Sequence, residues 1–271
     1  ERGSSHIKFQ HKILTDEYKS LGIKPNVPSS KMIKKEIEEY DLADFICVPS
    51  EYVKETFIKY GIKKDKIIKI PYGVDLKEFC LVESKKREDN KFRIISTGSI
   101  SVRKGSYYLL EAFKELSLPN SELIFVGSFD PDFKKIIKRY SNIKNIKFIK
   151  KQKQELLKKF YNDSDLFVLC SVEEGLAMVQ AQAMACGLPV ICTTNTGGSE
   201  IVDENINGHI IPIKDVQLLK ERIKNLYYDR RKLKQMSKSA YKKANNELSW
   251  EKYGDRMLNT YRGLLKTKKN I

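Results

Sequence analysis

Glu173 and Glu174 stand between an apolar run, Asp165-Leu166-Phe167-Val168-Leu169-Cys170, and an uncharged Ala- and Met-rich stretch from Ala177 to Cys186. The first run has the length of a buried strand. The second is a good helix former with no charge on any face. The acidic pair therefore falls at a strand end, just ahead of a helix N-terminus whose amides favour phosphate. A carboxylate in that place is a poor phosphate ligand and a good acceptor for sugar hydroxyls. That singles out Glu174, with Glu173 read as its surface neighbour. A second candidate lies upstream, in Gly98-Ser99-Ile100-Ser101-Val102-Arg103-Lys104-Gly105. Glycine-bearing loops between a strand and a helix are where α/β sheets take up anions. Arg103 and Lys104 add fixed positive charge, and a guanidinium can grip a diphosphate with two nitrogens. The plain alternatives are a solvated Arg–Lys pair and a structural Glu174.

These residues need strands and helices to hold them. Gly187 is placed to cap the Ala177–Cys186 helix in the left-handed conformation, Pro189 prevents continuation, and Leu188 to Thr193 supplies a second buried strand. The unit is a βαβ crossover, which puts ligands beyond the carboxyl ends of its strands. Upstream, the pattern predicts strands at 45–48, 67–70, 92–97, 122–127 and 146–149. Helices are expected through Tyr18, after the Ser29-Ser30 cap (Met32, Ile33, Ile37 and Tyr40 inward), and at 52–60, 107–116, 133–140 and 155–161. A last strand at 210–212 and helices at 216–227 and 231–247 follow, then an amphipathic helix from Ser249 to Leu265. Strand–helix alternation at this spacing argues a doubly wound parallel sheet. Glu83 to Asn90, polar and without period, reads as a linker. The turn Thr193-Thr194-Asn195-Thr196-Gly197-Gly198 with Glu200 suits a site and an ordinary turn equally.

Glu174-Gly175, a residue eight positions on, and then Ala-Met-Ala-Cys-Gly-Leu-Pro-Val-Ile from 183 to 191 resemble the signature of retaining glycosyltransferases of family 4. In that family two glutamates bracket the nucleotide sugar, and here the second position is Gln182. The resemblance implies the GT-B fold, α/β with two Rossmann-like doubly wound parallel-sheet domains, the N-terminal one incomplete. Its implied divisions are 1–82 as the end of the acceptor-side domain, 83–91 as linker, 92–248 as the donor-binding domain and 249–271 as a helix crossing back to the first domain. The implied reaction moves a hexose from a nucleotide diphosphate sugar to a glycan, lipid or small-molecule acceptor with retention at the anomeric carbon. Lys104, Arg103 and Glu174 would be the catalytic residues, with the two cations stabilising the departing diphosphate. Gly98, Ser99, Lys151, Gly175, Leu176, Ala177, Val179 and Gln182 would complete the donor site, Lys151 beside the base. Ser5, His6 and Gly73 would face the acceptor. Ser99 stands where the family has Arg, Leu176-Ala177 where it has Phe-Gly, and Tyr72 where it has Asn. Gln182 would replace a carboxylate that accepts from both ribose hydroxyls. No cofactor or metal is expected. A GT-B epimerase and a noncatalytic nucleotide-sugar binder are the alternatives.

The net charge of +16 invites a nucleic-acid reading. Only ten of the 51 basic residues are Arg, however, the lysines are spread over helical faces, and no nucleic-acid motif is present. Attraction to a nucleotide diphosphate, or peripheral contact with an anionic leaflet, is the more modest use of this field. The five cysteines lack CxxC spacing, which fits a reducing cytoplasm. His11 and His209 read as surface residues, and no His, Asp and Glu set has metal-ligand spacing. Glu1 is not a Met and no targeting signal follows it, so the chain reads as part of a longer one.

Overall fold

In a computed structural model, which describes residues 1–82 and 89–268, two short strands and six longer ones form two separate parallel sheets. In chain order the elements begin with helices α1 (Ile7–Ser20) and α2 (Ser30–Leu42), strand β1 (Ile46–Val48), helix α3 (Glu51–Lys59) and strand β2 (Ile67–Lys69). Next come β3 (Phe92–Thr97), α4 (Ser106–Leu116), β4 (Ser121–Val126), α5 (Lys134–Ile137), β5 (Ile146–Ile149) and α6 (Gln154–Asn162). Then follow β6 (Leu166–Leu169), α7 (Met178–Ala185), β7 (Val190–Thr193), β8 (Gly208–Ile211), α8 (Val216–Tyr228), α9 (Arg230–Glu247) and α10 (Trp250–Lys268). Most of the expected linker, 83–88, lies outside the described residues.

The large sheet runs β5-β4-β3-β6-β7-β8, every pair parallel. That is the doubly wound order, in which the chain reverses direction across the sheet between β3 and β6. Alternate residues of the same strands feed two cores. Leu166 and Val168 join one with α4 and α8, while Phe167 and Leu169 join the other with α7 and α9. Both faces being covered explains why the strands read as continuous apolar runs. On the second face, Ala181 and Ala185 of α7 meet a core that includes Ala240 and Ala244 of α9. Gly187, at φ +80°, ends α7 as anticipated, with Leu188 N donating to Ala183 O at 3.0 Å.

The smaller sheet pairs Ile46 to Val48 with Ile67 to Lys69. Its core gathers Ile7, Tyr40, Val48, Val53 and Phe57. Helix α1 serves both cores, because Leu14 and Tyr18 pack into the large one. The final helix crosses back: Val74 N donates to Leu248 O at 2.7 Å and Arg256 Nη2 to Pro71 O at 2.9 Å. Three expectations are corrected. Met32 faces outward, 51% exposed, since α2 packs through Ile33, Ile37 and Tyr40. The single helix expected at 133–140 is three short turns beginning at Pro131. His209 is buried, because it lies in β8 and its Nδ1 pairs with Glu204 at 2.8 Å.

Candidate active site

The reversal between β3 and β6 sets two loops side by side at the carboxyl edge of the sheet: 98–105 after β3 and 170–177 after β6. They touch through backbone. Val172 N donates to Arg103 O at 2.9 Å, and a Cβ on Gly105, at φ +60°, would lie 1.8 Å from Cys170 O. Only glycine both adopts that φ and leaves room for the neighbouring strand end. A third loop, after β7, pins the second. Asn195 O accepts from Glu174 N at 2.9 Å, and Asn195 Nδ2 donates to Val172 O at 2.9 Å. The Thr193–Glu200 turn thus buttresses the acidic loop. Glu200 also reaches across, accepting from Glu51 N at 2.7 Å at the start of α3 and from Lys69 at 3.0 Å.

At this junction four charged groups converge. Lys104 Nζ donates to Glu174 Oε2, and Arg103 Nη2 lies 3.4 Å from Glu174 Oε1. Burial pushes the Glu174 carboxyl up, but the Lys104 ammonium and the Arg103 guanidinium outweigh it and hold the group below its ordinary range. Glu174 is therefore ionised at neutral pH. Glu173 is not the surface neighbour it was expected to be. It is 0% exposed, and four donors surround it: Ser5 N (3.0 Å), Ser5 Oγ (2.7 Å), Gln10 Nε2 (2.9 Å) and Arg103 Nε (2.9 Å). A buried carboxylate needs such partners, and here both units supply them. Tyr52 of α3 completes the neighbourhood. Burial first, then the Glu173 charge, pushes its hydroxyl up, so the phenol is neutral.

The remaining expected site residues are placed as follows. Gly98, at φ +115°, opens the first loop, and Ser99 Oγ lies 3.3 Å from Ser101 Oγ. Gly175 lies close against the N-terminal unit, since a Cβ there would lie 2.0 Å from Gly3 O, and Ser50 Oγ donates to its carbonyl at 2.8 Å. Leu176 and Ala177 are buried in the second core, and Val179 packs against it. Gln182 is nearly buried, with Tyr161 Oη donating to its Oε1 at 3.4 Å and itself 2.7 Å from Thr97 Oγ1. Lys151 is exposed on the loop after β5, at the same edge of the sheet.

Ser5, His6 and Gly73, expected to face the acceptor, have the following surroundings. Ser5 is fully buried on Glu173. His6 caps α1, its Nδ1 accepting from Lys8 N at 3.2 Å, and its ring stacks on Tyr60 at 4.6 Å. Gly73 lies against α10, where a Cβ would come 2.7 Å from Trp250 Cα. The roles of Glu173, Gln10 and Glu200 escaped sequence reasoning. Ser5 and Gln10 stand 168 and 163 positions from the carboxylate they satisfy, and no local pattern signals such a contact. Among the described residues, no group of three or more His, Cys, Asp or Glu is placed to hold a metal ion.

Residues 81–243 match the family model of glycosyl transferases group 1. The chain belongs to that family. The glycosyl transferase group 1 segment includes both loops at the sheet reversal and the whole large sheet. Among curated proteins, the chain is 26% identical over 241 residues to spore coat protein SA of Bacillus subtilis (strain 168), covering 80% of this chain and 64% of that one. It is 29% identical over 209 residues to a probable sucrose-phosphate synthase of Thermosipho melanesiensis, covering 72% and 47%. The chain thus spans about half to two thirds of these relatives' length. Among solved structures, Anabaena Alr3699/HepE in complex with UDP-glucose superposes with a TM-score of 0.77 at 21% identity, over 94% of this chain and 71% of that one. The sucrose-phosphate synthase of Thermosynechococcus elongatus gives 0.76 at 22%, over 95% and 67%. The fold of this group 1 glycosyl transferase is therefore GT-B.

Proposed function

We propose that the full-length protein transfers a hexose from a nucleotide diphosphate sugar to a glycan or lipid-linked acceptor, with retention at the anomeric carbon. The observation that carries this reading is the convergence of Lys104 and Arg103 on Glu174 at the sheet reversal. Two cations at a strand end beside a helix start suit a diphosphate. A carboxylate between them, held ionised, suits the hydroxyls of the attached sugar. In the free protein the cations and Glu174 neutralise one another. A diphosphate entering the site takes over the cations and leaves Glu174 free to accept from the sugar. The charge that develops on the departing diphosphate then meets groups already fixed in place, which is electrostatic catalysis. Gln182, with one oxygen acceptor, is assigned to the ribose, and Lys151 to the neighbourhood of the base. UDP-glucose bound to the HepE structure makes UDP the first nucleotide to try. No metal or organic cofactor is required by this scheme.

Calorimetry with UDP, GDP, uridine and guanosine tests the site. Lys104→Ala is expected to weaken diphosphate binding by about tenfold or more, the worth of a charged hydrogen bond, and to leave nucleoside binding unchanged. Equal loss for both ligands sends Lys104 elsewhere. Product analysis with the full-length protein then separates sugar transfer from epimerisation and from binding without turnover.

We place the enzyme in the cytoplasm, and its net charge of +16 suits a visit to an anionic membrane surface. No helix among the described residues is long and apolar enough to cross a membrane. Co-sedimentation with vesicles containing phosphatidylserine, lost at about 0.5 M salt where the screening length falls to a few ångströms, is the expected result. Equal recovery with neutral vesicles removes the membrane from the scheme.

A further inference from the structure

Arg103 is not simply a second cation beside Lys104, because its guanidinium is held tightly by Glu173 at one edge and only at 3.4 Å by Glu174 at the other. Its Nε donates to Glu173 Oε2 at 2.9 Å and to Glu173 O at 3.2 Å, while Nη2 extends toward Glu174 at 3.4 Å. One residue therefore grips the stem of the side chain through both its carboxylate and its backbone carbonyl. The same Oε2 also accepts from Gln10 Nε2, and Oε1 takes both donors of Ser5. Three of the four bonds on this carboxylate come from the N-terminal unit and the fourth from the anion loop.

We propose that Glu173 is the positioning residue of the site: it aims Arg103 at the diphosphate and makes that aim depend on the seating of the N-terminal segment, Ser5 and Gln10. The proposal rests on the nucleotide-sugar reading above and adds a residue that this reading leaves without a role. The chemistry follows from burial. A carboxylate at 0% exposure has no water to fall back on. While the N-terminal segment is seated, five donated bonds to Glu173 side chain and backbone satisfy it and fix the guanidinium plane, so little rotamer freedom is left to lose on ligand binding. If Ser5 and Gln10 withdraw, the carboxylate keeps Arg103 as its sole charged neighbour and draws it away from the ligand. Ser99, which carries no charge, leaves Arg103 as the cation that this arrangement must place.

The test is a double-mutant cycle read by calorimetry with UDP and GDP, alongside uridine and guanosine. Glu173→Gln keeps the shape but offers one oxygen and an NH₂ that opposes the Gln10 and Arg103 donors. It is expected to weaken diphosphate binding about tenfold, with nucleoside binding unchanged, and to have no further effect in an Arg103→Ala background. Such non-additivity marks a residue that acts through another, whereas a structural loss adds. Circular dichroism checks folding. Should Glu173→Gln fail to fold, Ser5→Ala removes one donor of the same carboxylate, and a two- to fivefold loss that vanishes with Arg103→Ala is expected. Additive losses in either cycle, or equal losses for nucleoside and diphosphate, overturn the positioning role while leaving the nucleotide site intact. Failure of the parent to bind either diphosphate overturns the nucleotide-sugar reading, and this inference with it.

Discussion

Glu174 and Glu173 are adjacent, both acidic and both enclosed, and they share Arg103, yet their other partners differ in kind. Glu174 is met by two cations whose charge a ligand can claim. Glu173 is met mostly by neutral donors that no ligand replaces. On the proposed reading the first takes part in binding, while the second shapes the site. This difference sets the expectation for Glu174→Gln in the full-length enzyme. Turnover falls, because the charged acceptor for the sugar hydroxyls is gone. Diphosphate affinity is retained or rises severalfold, because Lys104 no longer has to be released from an ion pair before it can bind. Steady-state kinetics with calorimetry on the same variant reads both, and unchanged turnover moves Glu174 out of the chemistry. The cysteines lie at the other extreme. Cys170, Cys186 and Cys192 are buried, and burial pushes their thiols up, so they behave as small apolar residues.

Among the elements, α1 carries more than its length suggests. One side joins the small core through Ile7, the other joins the large core through Leu14 and Tyr18. Its buried Glu17 accepts from Tyr108 Oη at 2.5 Å and pairs with Lys214. The start of this helix depends on a neutral His6. Burial, followed by the nearby Lys8 and Arg2 charges, lowers its pKa from 6.5 to about 4. The unfolded chain therefore binds more protons than the folded one between those values, and stability rises with pH there. The contribution is fully present above about pH 6.5 and is lost as pH falls toward 4, on the order of 3 kcal/mol in all. Denaturant unfolding of the parent at pH 4.5 and 7 should show this loss. His6→Asn, which keeps an N-cap acceptor, should show a flatter dependence. Equal slopes in the two proteins would show that His6 does not titrate with folding.

At the scale of the whole molecule, carboxylates reaching over the boundary help to join the two units, among them Glu17, Glu173 and Glu200. The helix α10 adds a covalent return. Its first turn lies on Gly73 and Val74, and Tyr253 meets Tyr72 at 6.3 Å between ring centroids. Ending the chain after Leu248 removes the Arg256–Pro71 bond and the cover over residues 71–74 together. It is expected to lower the melting temperature by several degrees, since each kcal/mol lost costs about 2–4 °C in a domain near this size. A melting curve unchanged by the truncation would show that α10 contributes nothing to the joint.

Much of this architecture was legible from local chemistry. The strands of the large sheet are apolar runs because both their faces are covered, and Gly187 and Pro189 mark the end of α7 by backbone geometry alone. The two loops at 98–105 and 170–177 were legible one by one as well, since each sits between a strand and a helix. Their side-by-side placement needed the strand order, because only the reversal between β3 and β6 makes their carboxyl ends neighbours. The remainder is long-range. Glu173 reads on its own as a solvated acid, and becomes the most enclosed charge of the site only when Ser5 and Gln10 fold onto it from more than 160 positions away. His6 reads as a cleft residue until Tyr40, Phe57 and Tyr60 close around its ring. Residue type sets which groups can carry charge, and local pattern sets the element each rides on. Whether a charge meets water, a cation or a neutral donor is decided by what the rest of the chain lays over it, because solvation and partner distance are tertiary quantities.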